Sequence, residues 1–382
     1  MKENFVSRQQ VSLLPERIHK AEETEASHEL YNFLWSKYEK KGFEPMHIML
    51  VGAGGSYPAA LCASHSIRDE MRTSNVEIAT PQTALRTIEQ FDRILNSTWN
   101  PKYDVVIGIS YSGKTPDIKA VADACKMKKF PFVLLTGTKK SELEDIYYES
   151  EEIKVISYFN SEDSTGKEKG MISMASTLVP AVIFDDNTIC SDPRYRHFET
   201  YEEFLEEGKK FVSELDIPRI AASIKKHPVV HVFYEWVTMP TAADIESKFI
   251  EAGIANVVLH EKKNFSHGRS TVLYTQDFGL VINLTQYTLA ISLSTSEEKL
   301  VYKYEYDESL AKFLKEICES KSACYLEMGN SKFEAVEHNI QEMSKIPYLI
   351  TAIGEEMDID ISKPLKPYPK EAKALYDYQG KF

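Results

Sequence analysis

Three features of the sequence predict an α/β protein with two parallel sheets, each flanked by helices. Short continuous apolar runs, such as His47–Val51 (HIMLV), 104–110 (DVVIGIS) and 130–136 (FPFVLLT), alternate with amphipathic segments. Runs of that kind are strands buried on both faces, as in a parallel sheet covered by helices. The pattern pauses over a charged stretch, 191–217, and restarts at Val229–Tyr234 (VVHVFY). A chain of 382 residues also has room for two or three domains of about 150 residues each.

The stretch 16–38 carries Ile18, Leu30, Phe33 and Leu34 among polar residues, a helical mixture. His47–Val51 is the first strand. It runs into Gly52-Ala53-Gly54-Gly55-Ser56 and then a helix over 57–71. Residues 76–79 and 104–110 are the next strands. After Ser110-Tyr111-Ser112-Gly113-Lys114-Thr115, a helix over Pro116–Lys128 opens with proline in the tolerated first turn. Strands follow at 130–136 and 153–159, and an apolar helix at 169–184. The stretch 191–217, bounded by Asp192-Pro193 and Ile217-Pro218, reads as a helical connector. Beyond it come a strand at Val229–Tyr234, a helix over 240–256, strands at 257–259, 278–284 and 323–327, and helices over 310–319 and 347–357. The organisation is therefore an N-terminal helical segment (1–30), a first domain (31–190), the connector (191–217), a second domain (218–357) and a tail (358–382). The proline-rich tail reads either as an appendage or as a segment that folds over a site. The repeated order suggests an internal duplication, although the halves share little residue identity.

Lys and Arg number 45 against 58 Asp and Glu, a net charge of −13. That balance argues against a nucleic-acid binder, which needs a basic face. No apolar run reaches the ~20 residues of a membrane span. The start Met1-Lys2-Glu3-Asn4-Phe5 lacks a secretion-signal pattern, so a cytoplasmic protein is expected. Cys62, Cys125, Cys190, Cys318 and Cys324 form no CxxC pair and read as reduced, buried thiols. No metal and no cofactor is expected.

Right-handed crossovers place the loops after the strands at one edge of a parallel sheet, where ligands of such sheets bind. Gly52–Ser56 joins a strand to a helix, so main-chain amides and a hydroxyl lie at a helix N-terminus, suited to an anion. It matches neither GxxxxGK[ST] nor GxGxxG, because Tyr57 takes the last glycine position. Ser110, Ser112 and Thr115 supply three hydroxyls in a second such loop, where Ser112 or Thr115 is equally suited to N-capping. Two loops on one sheet edge point to a sugar-phosphate or nucleotide pocket. A third feature is the acidic helix segment 244–251 followed by His267 in Asn264-Phe265-Ser266-His267-Gly268-Arg269. A carboxylate and an imidazole can move protons between adjacent sugar carbons and open a pyranose ring. On residue type alone Asp244, Glu246, Glu251, His260, Glu261 and His267 are all available.

Gly52-Ala53-Gly54-Gly55-Ser56-Tyr57-Pro58-Ala59-Ala60, Ser110-Tyr111-Ser112-Gly113-Lys114-Thr115-Pro116-Asp117 and Met174-Ala175-Ser176-Thr177 resemble the SIS (sugar isomerase) domain. Order and spacing are similar to the isomerase half of glucosamine-6-phosphate synthase and its double-SIS relatives, including amino-sugar deaminases and deglycases. The likeness continues through 242–252, His267-Gly268 and Asp358-Ile359-Asp360…Pro364. It implies two flavodoxin-like SIS domains, a homodimer, and a phosphosugar bound by the first domain. By motif position the resemblance implies that Gly54, Gly55, Ser56, Ser110, Ser112 and Thr115 surround the phosphate. Tyr111 stands where the family often has Gln and by that position is implied as a substrate-binding residue, and Ser176 would contact sugar hydroxyls. The family's Lys-x-x-Glu run falls on Lys248 to Glu251, which implies Glu251 as the proton shuttle and leaves Glu246 second. His267 would open the ring, reaching in from the neighbouring subunit.

Departures from the family are informative. There is no N-terminal cysteine nucleophile and no room for ~200 further residues beside two domains of ~150, so glutamine-dependent synthesis is not expected. The family's tail lysine has no clean counterpart: Pro369 falls closest, with Lys366 and Lys370 nearby. Lys114 replaces a common acid and would add a cation beside the phosphate. The second half has Glu235-Trp236-Val237-Thr238 in place of a glycine loop, so it is not expected to hold phosphate. The expected activity is isomerisation, deamination or deglycation at C1/C2 of a sugar or amino-sugar phosphate. The alternative is a non-catalytic phosphosugar sensor.

Overall fold

The computed structural model describes residues 5–70, 74–90, 103–148, 150, 152–159, 168, 172, 174–186, 201–285, 288–293, 300–305, 308–329 and 335–363. Cys190, residues 191–200 of the connector, and Lys366 and Lys370 of the tail lie outside the described residues. Two compact units are present, one over 9–205 and the other over 206–364 with the residues before Gln9.

The first unit follows helix α1 (Val6–Ser12) with α2 (Leu14–Glu22), α3 (Ala26–Lys40), β1 (His47–Val51), α4 (Ser56–Glu70), β2 (Asn75–Ala79), α5 (Pro81–Gln90) and β3 (Val105–Ile109). It continues through α6 (Pro116–Lys128), β4 (Phe132–Thr136), β5 (Ile153–Ser157) and α7 (Ala175–Asp186) into α8 (Tyr201–Ser213). The five strands form one sheet in the order β2-β1-β3-β4-β5. Every pairing is parallel, with Val51 beside both Ala79 and Gly108. β3 and β4 are buried at every position, which explains why they read as unbroken apolar runs. On one face Met49, Val51, Val106, Phe132, Leu134 and Val155 pack with Ile88 of α5 and Ile118 and Val121 of α6. α4 and α7 pack on each other, and α2 packs on α7. Gly108 makes room for an aromatic ring: a Cβ there would stand 2.8 Å from Cζ of Phe132.

The second unit contains α9 (Ile217–Lys226), β6 (Val229–Tyr234), α10 (Met239–Glu251), β7 (Asn256–Glu261), α11 (Lys262–Asn264), α12 (Thr271–Thr275) and β8 (Leu280–Asn283). An antiparallel hairpin of β9 (Thr288–Leu293) and β10 (Leu300–Glu305) precedes α13 (Glu308–Lys321), β11 (Cys324–Glu327) and α14 (Ala335–Glu356). The main sheet is parallel, in the order β11-β8-β6-β7. Read from β7, its strands run second, first, third, fourth, the order in which the first sheet begins. The duplication expected from element order is thus present as strand order, four strands against five.

Several boundaries differ from those read in the sequence. The helix over 240–256 ends at Glu251, because Gly253 turns left-handed at φ +64° and Asn256 already pairs with Val229 in the sheet. Pro347 does not open a helix but lies inside α14, which starts twelve residues earlier. Helix α5 and the β9–β10 hairpin carry no counterpart in the sequence reading. Cys62, Cys125, Cys318 and Cys324 are buried and unpaired, and burial pushes the Cys125 and Cys318 thiols up to about 12.

Candidate functional site

The loop after β1 is shaped by its glycines. A Cβ at Gly52 would run into the Ser56 carbonyl, and Gly54 sits at φ +54°, in the left-handed region. The turn closes with Ser56 N–H on the Ala53 carbonyl at 3.1 Å and Tyr57 N–H on the Gly54 carbonyl at 3.0 Å. Ser56 begins α4 and is 6% exposed, while Gly54 is exposed and Gly55 half-buried. The loop therefore presents itself at a helix N-terminus, where main-chain dipoles favour an anion.

The loop after β3 is held by its main chain. Gly113 N–H donates to both the carbonyl and Oγ of Ser110 at 3.2 Å. Gly113 takes φ +63°, and a Cβ there would meet Leu143 and Thr136 at 3.0 Å. The Tyr111 carbonyl accepts from Gly137 N–H at 3.0 Å, Thr136 Oγ1 at 3.1 Å and Thr138 Oγ1 at 3.3 Å. Thr115 occupies the N-cap position of α6 but its side chain makes no capping bond. The Ser112 hydroxyl accepts from Lys114 N–H at 3.3 Å. Neither hydroxyl caps the helix, which corrects the capping alternative. Lys114 pairs with Glu142 at 2.9 Å, so its charge is already matched by a carboxylate.

β1 and β3 are neighbours, and the chain leaves β1 for β2 on the opposite side, so the two loops flank a topological switch point. Helix α7 joins them. Thr177 Oγ1 donates to the Gly55 carbonyl at 2.8 Å, which brings the first turn of α7, with buried Ser176, against the first loop. The Glu168 carboxylate accepts from Met174 N–H at 2.6 Å and Ala175 N–H at 3.1 Å, at the start of that helix. Glu168 N–H donates to the Tyr111 hydroxyl at 3.1 Å, and Arg17 of α2 lies 3.8 Å from its carboxylate.

In the second unit, α10 carries the acidic residues. Lys248 and Asp244 form a buried pair at 2.6 Å. Glu251 accepts from the Ser247 hydroxyl at 2.8 Å. Burial raises its carboxyl above the ordinary value, Ser247 and Lys248 pull it back, and Asp244 adds to the rise. Burial also raises Glu246. His267 is exposed, in a turn over Phe265–Arg269 whose helical geometry breaks at His267 and at Gly268, φ +97°. His260 is not on a surface but in the core. Its Nε2 lies 2.8 Å from Nδ1 of His231, and burial lowers both imidazoles to about 4. The segment after β6 is capped by its own acid. Glu235 accepts from Thr238 N–H while Glu235 N–H donates to Thr238 Oγ1 at 3.1 Å, and Lys262 sits 3.1 Å from the carboxylate. The carboxylate of Asp360 accepts from Val6 N–H at 3.1 Å and Ser7 N–H at 3.4 Å, at the start of α1.

No protein-family model and no curated protein matches the sequence. Solved structures do match over nearly the whole chain. A phosphosugar isomerase candidate from Clostridium difficile 630 is 14% identical and covers 98% of this chain and 99% of its own, with a TM-score of 0.64. The C-terminal domain of glucosamine-fructose-6-phosphate aminotransferase from Francisella tularensis is 14% identical, covering 92% and 97%, at 0.60. The chain has the double-SIS fold. Glucosamine-6-phosphate deaminase from Thermotoga maritima shares the fold at 16% identity, covering 93% and 98%, with a TM-score of 0.55. The two flavodoxin-like sheets that the resemblance implies are the two parallel sheets described above.

Sequence reasoning gave Ser176 a role but none to Thr177 of the same motif, and singled out neither Glu168 nor Arg17. Glu168 lies 57 positions from Tyr111, and no local pattern joins them. Among the described residues no cluster of three or more His, Cys, Asp or Glu side chains suits a metal, and no helix is long and apolar enough to cross a membrane.

Proposed function

We propose that the chain is an enzyme that anchors a sugar or amino-sugar phosphate at the loops after β1 and β3 and acts at C1/C2 by isomerisation, deamination or deglycation. The observation that carries this reading is the Thr177–Gly55 hydrogen bond. It brings the start of α7 against the loop after β1, whose strand neighbours β3 in the same sheet. Gly54, Gly55, Ser56, Ser110, Ser112 and Thr115 are assigned to the phosphate, and Ser176 to sugar hydroxyls.

Proton transfer between C1 and C2 requires a base that is ionised at working pH yet easily protonated. A half-buried carboxyl with a raised pKa suits that task better than a solvated one, which supports Glu251 for the proton removed from one carbon and returned to the next. His267 is assigned to ring opening, where an exposed imidazole on a turn can exchange protons with the ring oxygen and the C1 hydroxyl. The relatives' names, which include an isomerase candidate, a deaminase and an aminotransferase domain, support the same substrate class.

The deciding experiment pairs binding with turnover. Hexose 6-phosphates, amino-sugar 6-phosphates and their amine adducts are screened by thermal shift, since a ligand of the native state raises apparent stability by mass action. Every compound that binds is then assayed for conversion. Conversion by the wild type, with Glu251→Gln binding but not converting, supports the enzyme. Binding with no conversion of any compound makes the protein a phosphosugar sensor, and no binding rejects the site.

A further inference from the structure

The aromatic residue between the two serines of the second loop is fixed on every side. The Tyr111 carbonyl accepts three hydrogen bonds from Thr136, Gly137 and Thr138, so its backbone cannot swing. Its ring lies against Gly137, where a Cβ would come within 2.8 Å of Cδ2 and Cε2, and it packs on Tyr158 with centroids 6.5 Å apart. A ring clamped in this way has one place to put its hydroxyl. That hydroxyl accepts the Glu168 N–H at 3.1 Å. Glu168 in turn spends its carboxylate on Met174 N–H and Ala175 N–H, the amides that open α7, with Arg17 at 3.8 Å behind it. Arg17 is itself held by Gln10, whose Oε1 accepts from Nη2 at 2.8 Å.

We propose that Tyr111 and Glu168 form a latch that positions the first turn of α7, and with it Ser176, against the phosphate loops. Tyr111 is a positioning residue in this scheme and not a ligand of the phosphate. Two lines connect α7 to the loops: Thr177 to Gly55 on one side, and Met174/Ala175 through Glu168 to Tyr111 on the other. With both in place the turn cannot pivot. The carboxylate already seated on the opening amides of α7 also keeps those amides from serving as a second phosphate site. The phosphate is thereby restricted to the two loops, and α7 is left to meet the neutral or aminated end of the sugar. This inference rests on the phosphosugar reading for its ligand, but not for its geometry.

The test is Tyr111→Phe in the full chain, which keeps the ring between Gly137 and Tyr158 and removes only the hydroxyl. Glu168→Ala breaks the same latch from the other end. Each is titrated with inorganic phosphate and with whichever hexose 6-phosphate the wild type binds, and the exchange of the Met174 and Ala175 amides is followed. The expected result is inorganic phosphate affinity within about two-fold of wild type, sugar-phosphate affinity lower by roughly ten-fold, the size of one lost hydrogen bond, and faster exchange at both amides. Equal losses for phosphate and sugar phosphate would make Tyr111 a phosphate ligand and overturn the latch. Unchanged affinities with unchanged exchange would also overturn it. If the wild type binds neither compound, the phosphosugar reading fails by itself. Amide exchange then decides the latch alone: faster exchange in both variants upholds it and unchanged exchange removes it.

Discussion

Tyr147 donates its hydroxyl to the Gly113 carbonyl at 2.8 Å, fixing the left-handed residue at the middle of the loop after β3. Together with Ser110, it holds the loop's shape from beneath. The hydroxyls of Ser112 and Thr115 stand outside that scaffold, since among the described residues Ser112 bonds only within the turn and Thr115 does not cap α6.

Ser112→Ala combined with Thr115→Ala should therefore spare the fold and cost binding. Each lost hydrogen bond to a charged phosphate is worth roughly 1.5–3 kcal/mol. Calorimetry with a bound sugar phosphate should show a loss of about 3–6 kcal/mol for the pair, with the thermal midpoint of the free protein unchanged. Unaltered affinity would remove both residues from the site.

Gly52→Ala should behave in the opposite way. The added methyl meets main chain, the Ser56 carbonyl, so the start of α4 must shift. A cost on the order of 1–3 kcal/mol is expected, as for other overpacked positions. Urea unfolding measures it, and phosphate affinity should fall as well because the α4 amides are displaced. A variant as stable as wild type would show that the turn yields freely.

How far these features could be read in advance depended on whether their cause was local. β1, β3 and β4 announced themselves because strands buried on both faces are apolar along nearly their whole length. Pro116 marked the start of α6 for a reason confined to one residue. α14 was cut short because Pro347 reads as a beginning, whereas the rest of a long buried helix tolerates it within. The helix end at Glu251 was missed because the Gly253 turn and the Asn256 pairing decide it together. The pairings Tyr111–Glu168 and Thr177–Gly55 were invisible because Glu168 carries no motif, and Gly55, Tyr111 and Thr177 sit in separate motifs that only the fold brings together.

Glu251 should leave a signature in the pH dependence of stability. A carboxyl whose folded pKa lies above its unfolded value binds its proton more tightly when folded. Its contribution is therefore complete at acid pH and is lost as pH rises through the folded pKa. Glu251→Gln removes that loss while keeping an acceptor for Ser247. The variant should melt higher than wild type at pH 7, with the difference vanishing below pH 4.5, the ordinary value for the group. A pH-independent difference would show that ionisation is not its source.

The His231–His260 pair has the reverse sign. Both imidazoles are depressed from 6.5 to about 4, with burial the largest cause. The unfolded chain takes up these protons first, so stability should fall as pH drops from 6.5 towards 4. Each histidine adds at most ~1.4 kcal/mol per pH unit to that slope. His260→Gln should make the decline of the urea midpoint shallower across this window. An unchanged slope would assign the acid sensitivity to other groups.

In the second unit the turn after β6 carries the Glu235 carboxylate with Lys262 beside it, where the first unit has the glycine turn Gly52–Ser56 after β1. The duplicated architecture is thus asymmetric at this turn: one half supplies its own carboxylate there and the other supplies glycines. Saturation should come at one sugar phosphate per chain, and any ligand-dependent rise in rigidity should be confined to the half built on β1 to β5.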